Sequence, residues 1–371
     1  MIHIIGLLGG VAILAFIMLE AFETIILPRT ASRELRLSRL VMRTGWRSWR
    51  YVAGMIANGS RRESFLSYYA PMQMPIVLGL WAFGLVFGFA LIVWGLRLSL
   101  NGAHQTSGLF QYFYLSGTTF FTLGYGDLTP ATSLGRMISV LEAGFGIGFL
   151  AMVIGYFPVL NGAFSRREII ISLLDARAGT PPAAAEFLRR HSMRGDTESI
   201  PLIIREWEQW SAELLESNLS YPVLAMYRSQ HDRESWLSAL TMVLDVCSLV
   251  IAGIEGIPVG PAKLAFAMAR HAAIDTGLVF DTPPIDPPAD RLSSADLQAL
   301  RKLLYDAGMT LRDSDEADRQ LDKLRKLYEP YVYTLSLRFL MPLPPWIASP
   351  DSVDNWQTSA WDKATKGDLH F

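Results

Sequence analysis

Residues 109–130 read LFQYFYLSGTTFFTLGYGDLTP. The run from Leu109 to Phe121 is apolar and of helix length, yet shorter than the roughly 20 residues a helix needs to cross a bilayer. Such a half-length segment fits a re-entrant helix buried in protein rather than facing lipid. Directly behind it stands Thr122-Leu123-Gly124-Tyr125-Gly126-Asp127. Gly124 and Gly126 open backbone torsions closed to other residues, so successive carbonyls of this stretch can all point one way.

The neighbouring segments give the stretch its context. Residues 75–96 carry no charge, and residues 137–164 carry only Glu142. A third apolar run, residues 4–27, is interrupted only near its end by Glu20, Glu23 and Thr24. All three are long enough to span a hydrocarbon core of about 30 Å as helices. The first has no basic n-region and ends in acidic residues rather than a small-residue cleavage site, so it is expected as a retained helix and not a signal peptide. Composition agrees, because 51% hydrophobic and 18% charged residues in a chain of 371 lean away from an ordinary soluble protein. A mean hydropathy of +0.25 points the same way. The single cysteine, Cys247, excludes an intrachain disulfide and with it a disulfide-stapled secreted scaffold.

The formal charge of -2 hides an asymmetry. Residues 1–162 carry 11 arginines, no lysine and 6 acidic residues, a net +5; the 22 basic and 29 acidic residues of 163–371 give -7. A membrane part followed by an aqueous part is expected. Residues 28–70 hold nine arginines against Glu34 and Glu63, whereas 97–136 hold only Arg97 and Arg136 against Asp127. The positive-inside rule puts the 28–70 loop in the cytoplasm, the N-terminus and 97–136 outside, and everything after Phe164 in the cytoplasm. Residues 236–254 come close to a fourth span. Asp245 at their centre would cost about 3 kcal/mol in the bilayer, so they are expected as a buried helix of a soluble domain. No internal repeat is found, so each chain holds one copy of the membrane part.

Four ribbons like 122–126 around an axis would stack rings of carbonyl oxygens able to replace the hydration shell of a potassium ion, with the Thr122 hydroxyl adding an inner ring. At this point the sequence resembles the potassium channel pore family, over roughly residues 75–165. The resemblance identifies Thr122, Leu123, Gly124, Tyr125 and Gly126 as the ion-binding selectivity filter. Leu123 stands where the family usually has Val, with its side chain directed away from the ion. Thr119 matches the pore-helix threonine, Leu128 and Pro130 the turn after the filter, Gly135-Arg136 the start of the inner helix, and Gly146 its hinge glycine. Phe121 departs from the pattern, standing where the family usually has a small or hydroxylated residue. The resemblance further implies that Tyr114 reaches Asp127 behind the filter and braces it. One filter per chain means that four chains close the ring, so a homotetramer with four-fold symmetry is expected.

In the third span, Gly144, Gly146 and Gly148 give flexibility and Pro158 removes a helix hydrogen bond. A hinge at Gly146 is the favoured reading, with close packing of small residues as the other. Counting at helical spacing, Ile147, Leu150, Ile154 and Pro158 share a face toward the axis, and the lower members could form a hydrophobic constriction. Glu142 is expected to hydrogen-bond Ser116 or Thr118, the alternative being direct attraction of cations.

Arg33, Arg36, Arg39, Arg43, Arg47 and Arg50 recur at spacings of three and four and so share one helix face. With Leu35, Met42, Trp46 and Trp49 on the same helix, the segment reads as an interfacial helix resting on anionic lipid headgroups. A voltage sensor is disfavoured, because a single span precedes it. Glu20 and Glu23 are expected to pair with Arg29 or Arg33.

Residues 163–371 read mainly as helix, over 166–177, 182–191, 199–216, 236–254, 261–275, 294–307 and a long one from Asp313 bent by Pro330. The Pro-rich stretch near 281–290 is expected as a stiff linker between two helical groups, and 343–371 as a tail packed on another surface or partly disordered. No strand followed by G-x-G-x-x-G appears, and no run of short strands, so neither a nucleotide-fold nor a cyclic-nucleotide regulatory domain is expected. His271 with Asp275, and His231 with Asp232, are read as ordinary polar pairs rather than metal ligands. Cys247 is expected to be inert, and no nucleophile-base constellation suggests an enzyme.

The expectation is an all-α membrane protein of three spans and a re-entrant helix. Its parts are an N-terminal transmembrane helix at 1–28, a basic interfacial segment at 29–70, the pore domain at 71–165 and a helical cytoplasmic domain at 166–371. It would be a potassium-selective channel in the plasma (inner) membrane, gated or assembled through its helical domain. Potassium is its permeant ion and the filter its only metal site, with no cofactor and no nucleic acid; a ligand or protein partner at the helical domain stays open. The alternative is a non-conducting, membrane-anchored sensor or scaffold derived from a channel.

Overall fold

The computed structural model describes residues 1–26, 37–102, 108–231, 233–349 and 354–355. The chain divides into two compact units, Met1–Asn161 and Gly162–Phe371. In the first, α1 (Ile2–Ala21) runs into a π-helical turn at Phe22–Ile26, followed by α2 (Leu37–Gly54), α3 (Gly59–Ser67) and α4 (Tyr69–Gly95). Strand β1 (Leu100–Asn101), α5 (Leu109–Phe120), strand β2 (Thr129–Pro130) and the 46-residue α6 (Ser133–Ala178) complete it, the last part of α6 belonging to the second unit. Among the described residues, three helical stretches are long and apolar enough to cross a membrane: Ile2–Ile25, Gly59–Gly95 and Ser133–Ala178.

Helices α1 and α4 meet along small residues. A Cβ on Gly10 would stand 2.6 Å from the Gly88 carbonyl oxygen, and one on Gly95 would stand 2.6 Å from the Leu7 nitrogen. Where lipid supplies no hydrophobic drive, such close backbone approach lets dispersion hold helices together. Ile17, Val77, Trp81, Leu85, Val86 and Phe120 form the core that joins α1, α4 and α5.

The second unit contains α7 (Ala184–Met193), α8 (Ile200–Ser220), α9 (Trp236–Ala252), α10 (Val259–Val279), α11 (Ser294–Asp306), α12 (Asp315–Lys326) and α13 (Glu329–Phe339). Every residue of α9 from 236 to 250 is buried, which makes it the central helix of this unit. Asp245 sits in its middle, held by Arg291 at 2.8 Å and by the Tyr328 hydroxyl at 2.5 Å. The charge thus has internal partners within the core of this unit. Trp346 and Asp354 are also buried, and Asp354 pairs with Arg190 at 2.7 Å, so the described part of the C-terminal tail packs on the unit. Residues 281–290 are without helix or strand.

Several element boundaries differ from those expected. The helix that holds the uncharged run expected from residue 75 begins earlier, at Tyr69, with Pro75 inside α4; proline lacks one donor but does not end a helix that packing holds on both sides. The third span and the helix expected at 166–177 are one helix, because nothing near Ser165 stops it. The long helix expected from Asp313 is two: Tyr328 leaves helical geometry at φ -131, and Pro330 opens α13, where its missing N–H costs nothing. Trp46 of α2 is buried within the unit, whereas Trp49 is half-buried. Arg29, Arg33, Arg36 and Asp232 lie outside the described residues, and with them the expected pairings of Glu20 and Glu23. Glu20 accepts from the backbone N–H groups of Leu37 at 2.9 Å and Ser38 at 2.7 Å.

Candidate functional site

The site is built on α5, whose apolar face buries Tyr112, Leu115 and Phe120 together with Ser116 and Thr118. The Tyr112 hydroxyl donates to the Leu98 carbonyl at 2.9 Å. The Ser116 hydroxyl reaches the Val86 carbonyl at 2.7 Å and also the Glu142 carboxyl group, while Thr118 turns its hydroxyl to the Leu115 carbonyl at 3.0 Å. These bonds fix α5 against α4 and α6 and leave few buried polar groups of the helix unmatched.

Where α5 ends, its last carbonyls would be orphaned. Leu123 and Gly124 donate their N–H groups to the Thr118 carbonyl at 2.8 and 3.3 Å, and Thr122 donates to Thr119 at 3.1 Å. Beyond this anchor the chain alternates in hand. Thr122, Gly124 and Gly126 have φ of 56, 58 and 79, whereas Leu123 and Tyr125 are not among the positive-φ residues. Torsions of alternating hand turn successive peptide carbonyls to one side of a ribbon, the geometry expected from the two glycines. Thr122 is β-branched and occupies the left-handed region at a cost of order 1–3 kcal/mol, a strain that collects where backbone shape serves a purpose. Residues 121–127 are all exposed within the single chain, with Tyr125 at 69%.

The Tyr114 hydroxyl lies near the Asp127 carboxylate. Past Asp127, β1 and β2 pair with Leu100 opposite Pro130 and Asn101 opposite Thr129. Ala131 donates to the Ser99 carbonyl at 2.9 Å, and the Arg136 guanidinium to the Pro130 carbonyl at 3.3 Å. Gly102, at φ 83, lets the chain pass against the Asp127 carbonyl. This ribbon fixes the return from the exposed segment into α6.

Helix α6 is unbroken at Gly146, and a Cβ there would run into the carbonyl oxygen of Phe120. At Gly146, α6 therefore passes close against the end of α5, while Cβ atoms at Gly144 and Gly148 would meet nothing. Ile147, Leu150, Ile154 and Pro158 are all exposed within the chain. Phe121 is exposed and stands edge-on to Phe120 with ring centroids 5.2 Å apart; Phe120 in turn packs near Phe149 at 5.9 Å.

Sequence reasoning missed Tyr112, the acceptor role of the Thr118 carbonyl and the β1–β2 ribbon. A tyrosine within an apolar run reads as packing, and a main-chain acceptor leaves no signature in side-chain types. His271 and Asp275 form an exposed pair at 3.0 Å, and among the described residues no group of three or more His, Cys, Asp or Glu is placed to hold a metal.

Residues 76–160 match the family model described as ion channel. Over 70 residues, 19% of this chain, the sequence is 39% identical to potassium channel subfamily U member 1 of Rattus norvegicus and of Mus musculus. The match spans 6% of the length of those channels. Over 272 residues the chain is 22% identical to the uncharacterized membrane protein YdjJ of Bacillus subtilis (strain 168), covering 70% of this chain and 76% of that protein. No solved structure matches. The resemblance of residues 76–160 to potassium channel pores thus stands on the family model and on sequence identity, in a helical protein of the membrane.

Proposed function

We propose that four copies of this chain form a potassium-selective channel, in which residues 122–126 supply the ion sites and the second unit governs opening or assembly. The observation that carries the reading is the alternation of hand at Thr122, Gly124 and Gly126 directly behind a half-length helix. Carbonyls turned to one side of the ribbon, with the Thr122 hydroxyl at its start, would replace the water around a potassium ion when four ribbons face one another. Each chain offers one such ribbon, so a closed ring requires a symmetric oligomer. Tyr114 and Asp127 brace the ribbon from behind, and Thr119 supplies the carbonyl that receives Thr122.

Below the filter, Ile147, Leu150, Ile154 and Pro158 line the pathway, and the lower ones form a constriction that gates by dewetting. Gly146 bends α6 during opening in addition to admitting the Phe120 carbonyl. Glu142 braces Ser116 and does not meet the permeant ion. Because α6 is one helix through Ala178, a displacement of its last turns is delivered to the constriction with little slack. The arginine count of residues 28–70 supports a cytoplasmic loop, an external N-terminus and a cytoplasmic second unit.

Potassium flux into liposomes holding the full-length protein tests the reading. The wild type is expected to pass potassium in preference to sodium, with block by large cations. Gly124→Ala, which forces a Cβ onto φ 58, is expected to assemble but lose selective flux. Unchanged selectivity in that variant refutes the filter assignment. Absence of flux in the wild type favours the scaffold reading. Reporters at the two ends of the chain are expected on opposite sides of the membrane.

A further inference from the structure

The last turns of α6, which belong to the second unit, carry two carboxylates on one face: Glu168 and Asp175 stand seven residues apart, close to two full turns. Both are buried. Glu168 pairs with Arg167 at 2.9 Å and accepts at longer range from the Ser229 hydroxyl, at 3.3 Å, and the Gln230 N–H, at 3.4 Å. Asp175 accepts from the Thr180 hydroxyl and from the main-chain N–H of Asn355, the latter at 3.1 Å.

A third carboxylate joins them from the segment just before α9. Glu234 is half-buried, and its Oε1 accepts from the side-chain amide of Asn355 at 3.1 Å. Asn355 therefore bridges Glu234 to Asp175, bonding one through its side chain and the other through its main chain. Among the described residues, Glu234 has no cationic partner. The guanidinium groups of this region are engaged elsewhere. Arg167 is divided between Glu168 and the carbonyls of Leu224, at 2.7 Å, and Tyr227, at 3.2 Å, while Arg190 of α7 holds Glu186 at 2.5 Å and Asp354 at 2.7 Å. Arg233 and His231, on the same segment as Glu234, are exposed. Carboxylates gathered in a partly dry site repel one another, and the one without a cation takes up a proton most readily. Burial first, then Asp175 and Glu168, raise the Glu234 carboxyl to about 7 against the opposing Asn355 amide.

We propose that Glu234 and Asn355 form a proton-operated clasp on the end of α6: protonated Glu234 holds the turns from Glu168 to Asp175 in place, and ionised Glu234 repels them. A neutral carboxyl meets the two α6 carboxylates without Coulombic cost and keeps the Asn355 bridge, whereas an ionised one adds a third negative charge to the site. The clasp is therefore closed at low pH and loosens as pH rises on the side of the second unit. Its control of ion flow rests on the channel reading, in which earlier residues of this same helix line the pathway, and supplies that reading with a stimulus. The clasp itself lies wholly within the second unit and can be observed without conduction.

The test places a nitroxide spin label on the full-length protein through Ser172→Cys, an exposed position between Glu168 and Asp175; Cys247 is buried and stays unlabelled. The label is expected to be immobile at about pH 6 and mobile at about pH 8, with the change centred near pH 7. Glu234→Gln, which keeps the shape and cannot ionise, is expected to hold the label immobile at both. Asp175→Asn removes one like charge and is expected to move the transition to lower pH. A label whose mobility does not respond to pH in otherwise wild-type protein overturns the proposal, and so does a response that persists unshifted in Glu234→Gln. Potassium flux into liposomes holding the unlabelled proteins is read alongside. Flux that varies with pH in the wild type and not in Glu234→Gln supports control of the pore, and flux with the same pH profile in both overturns that control. Absence of flux at every pH counts against the channel reading, while the label still decides the clasp.

Discussion

The hydroxyl of Ser116 and the carboxyl group of Glu142 meet inside the first unit, where Glu142 is 2% exposed. Because Ser116 is also 2.7 Å from the Val86 carbonyl, this one side chain ties α5 to α4 and α6 together. A hydroxyl has a single hydrogen to give, so the two oxygens compete for it unless Glu142 brings a proton of its own.

Glu142→Gln keeps the shape and adds a donor, and is expected to change stability by less than about 1 kcal/mol. Glu142→Ala leaves a cavity and an unmatched hydroxyl, and is expected to cost about 1–3 kcal/mol. Thermal unfolding in detergent reads both; equal midpoints for the two variants would contradict the bridging role.

Gly146→Ala puts a Cβ where the Phe120 carbonyl oxygen lies. Backbone cannot rotate away as a side chain can, so α6 must shift from the end of α5, at about 1–3 kcal/mol. The variant is expected to unfold at lower temperature and to pass less potassium, whereas Gly144→Ala and Gly148→Ala, open at the added Cβ, are expected to keep their stability.

In the second unit, Asp245 is fully buried and its ion-pair partner Arg291 bonds both of its oxygens, at 2.8 and 3.2 Å. Asp245→Ala strands a buried guanidinium with Glu329 at 3.2 Å as its remaining carboxylate, and is expected to cost about 3–5 kcal/mol. The double variant Asp245→Leu with Arg291→Met removes both charges and is expected to recover much of that loss. Chemical denaturation of the wild type, Asp245→Leu, Arg291→Met and the double variant checks the coupling.

Glu234 carries a pH dependence whose direction is fixed by its surroundings. Burial raises its carboxyl from the ordinary 4.5 to about 7; the Asn355 amide, donating at 3.1 Å, opposes this, and Asp175 and Glu168 add to it. A carboxyl whose folded-state value lies above its unfolded value contributes full stability below about 4.5 and loses it as pH rises through about 7. Melting of the second unit is therefore expected at lower temperature as pH rises through this window, and Glu234→Gln is expected to flatten the dependence. Parallel pH profiles for the two proteins would show that Glu234 does not carry it.

The three apolar helices, the half-length α5 and the torsions at Gly124 and Gly126 were legible in the sequence. Each is a local property: hydrophobic length against bilayer thickness, or a missing Cβ against a forbidden φ. The side-chain bond between Ser116 and Glu142 was within reach too, because a carboxyl inside an apolar span must find a polar partner at its own level. The core placement of α9 followed from Asp245 by the same reasoning.

Other features belong to the tertiary structure. Gly146 looks like a flexible point by composition, and only the passage of the Phe120 carbonyl beside it gives its hydrogen a steric purpose. Glu20 accepts two main-chain N–H groups of α2, which no side-chain pattern records. Trp46 and Arg47 are neighbours in sequence, one buried against Tyr69 and the other exposed, because docking on α4 selects one face of the helix. The sequence by itself determined which segments are apolar, which are long enough to span and which torsions are open, since these follow from a residue and its near neighbours. The tertiary structure decided which backbone groups and side chains meet, since that depends on the approach of segments tens of residues apart.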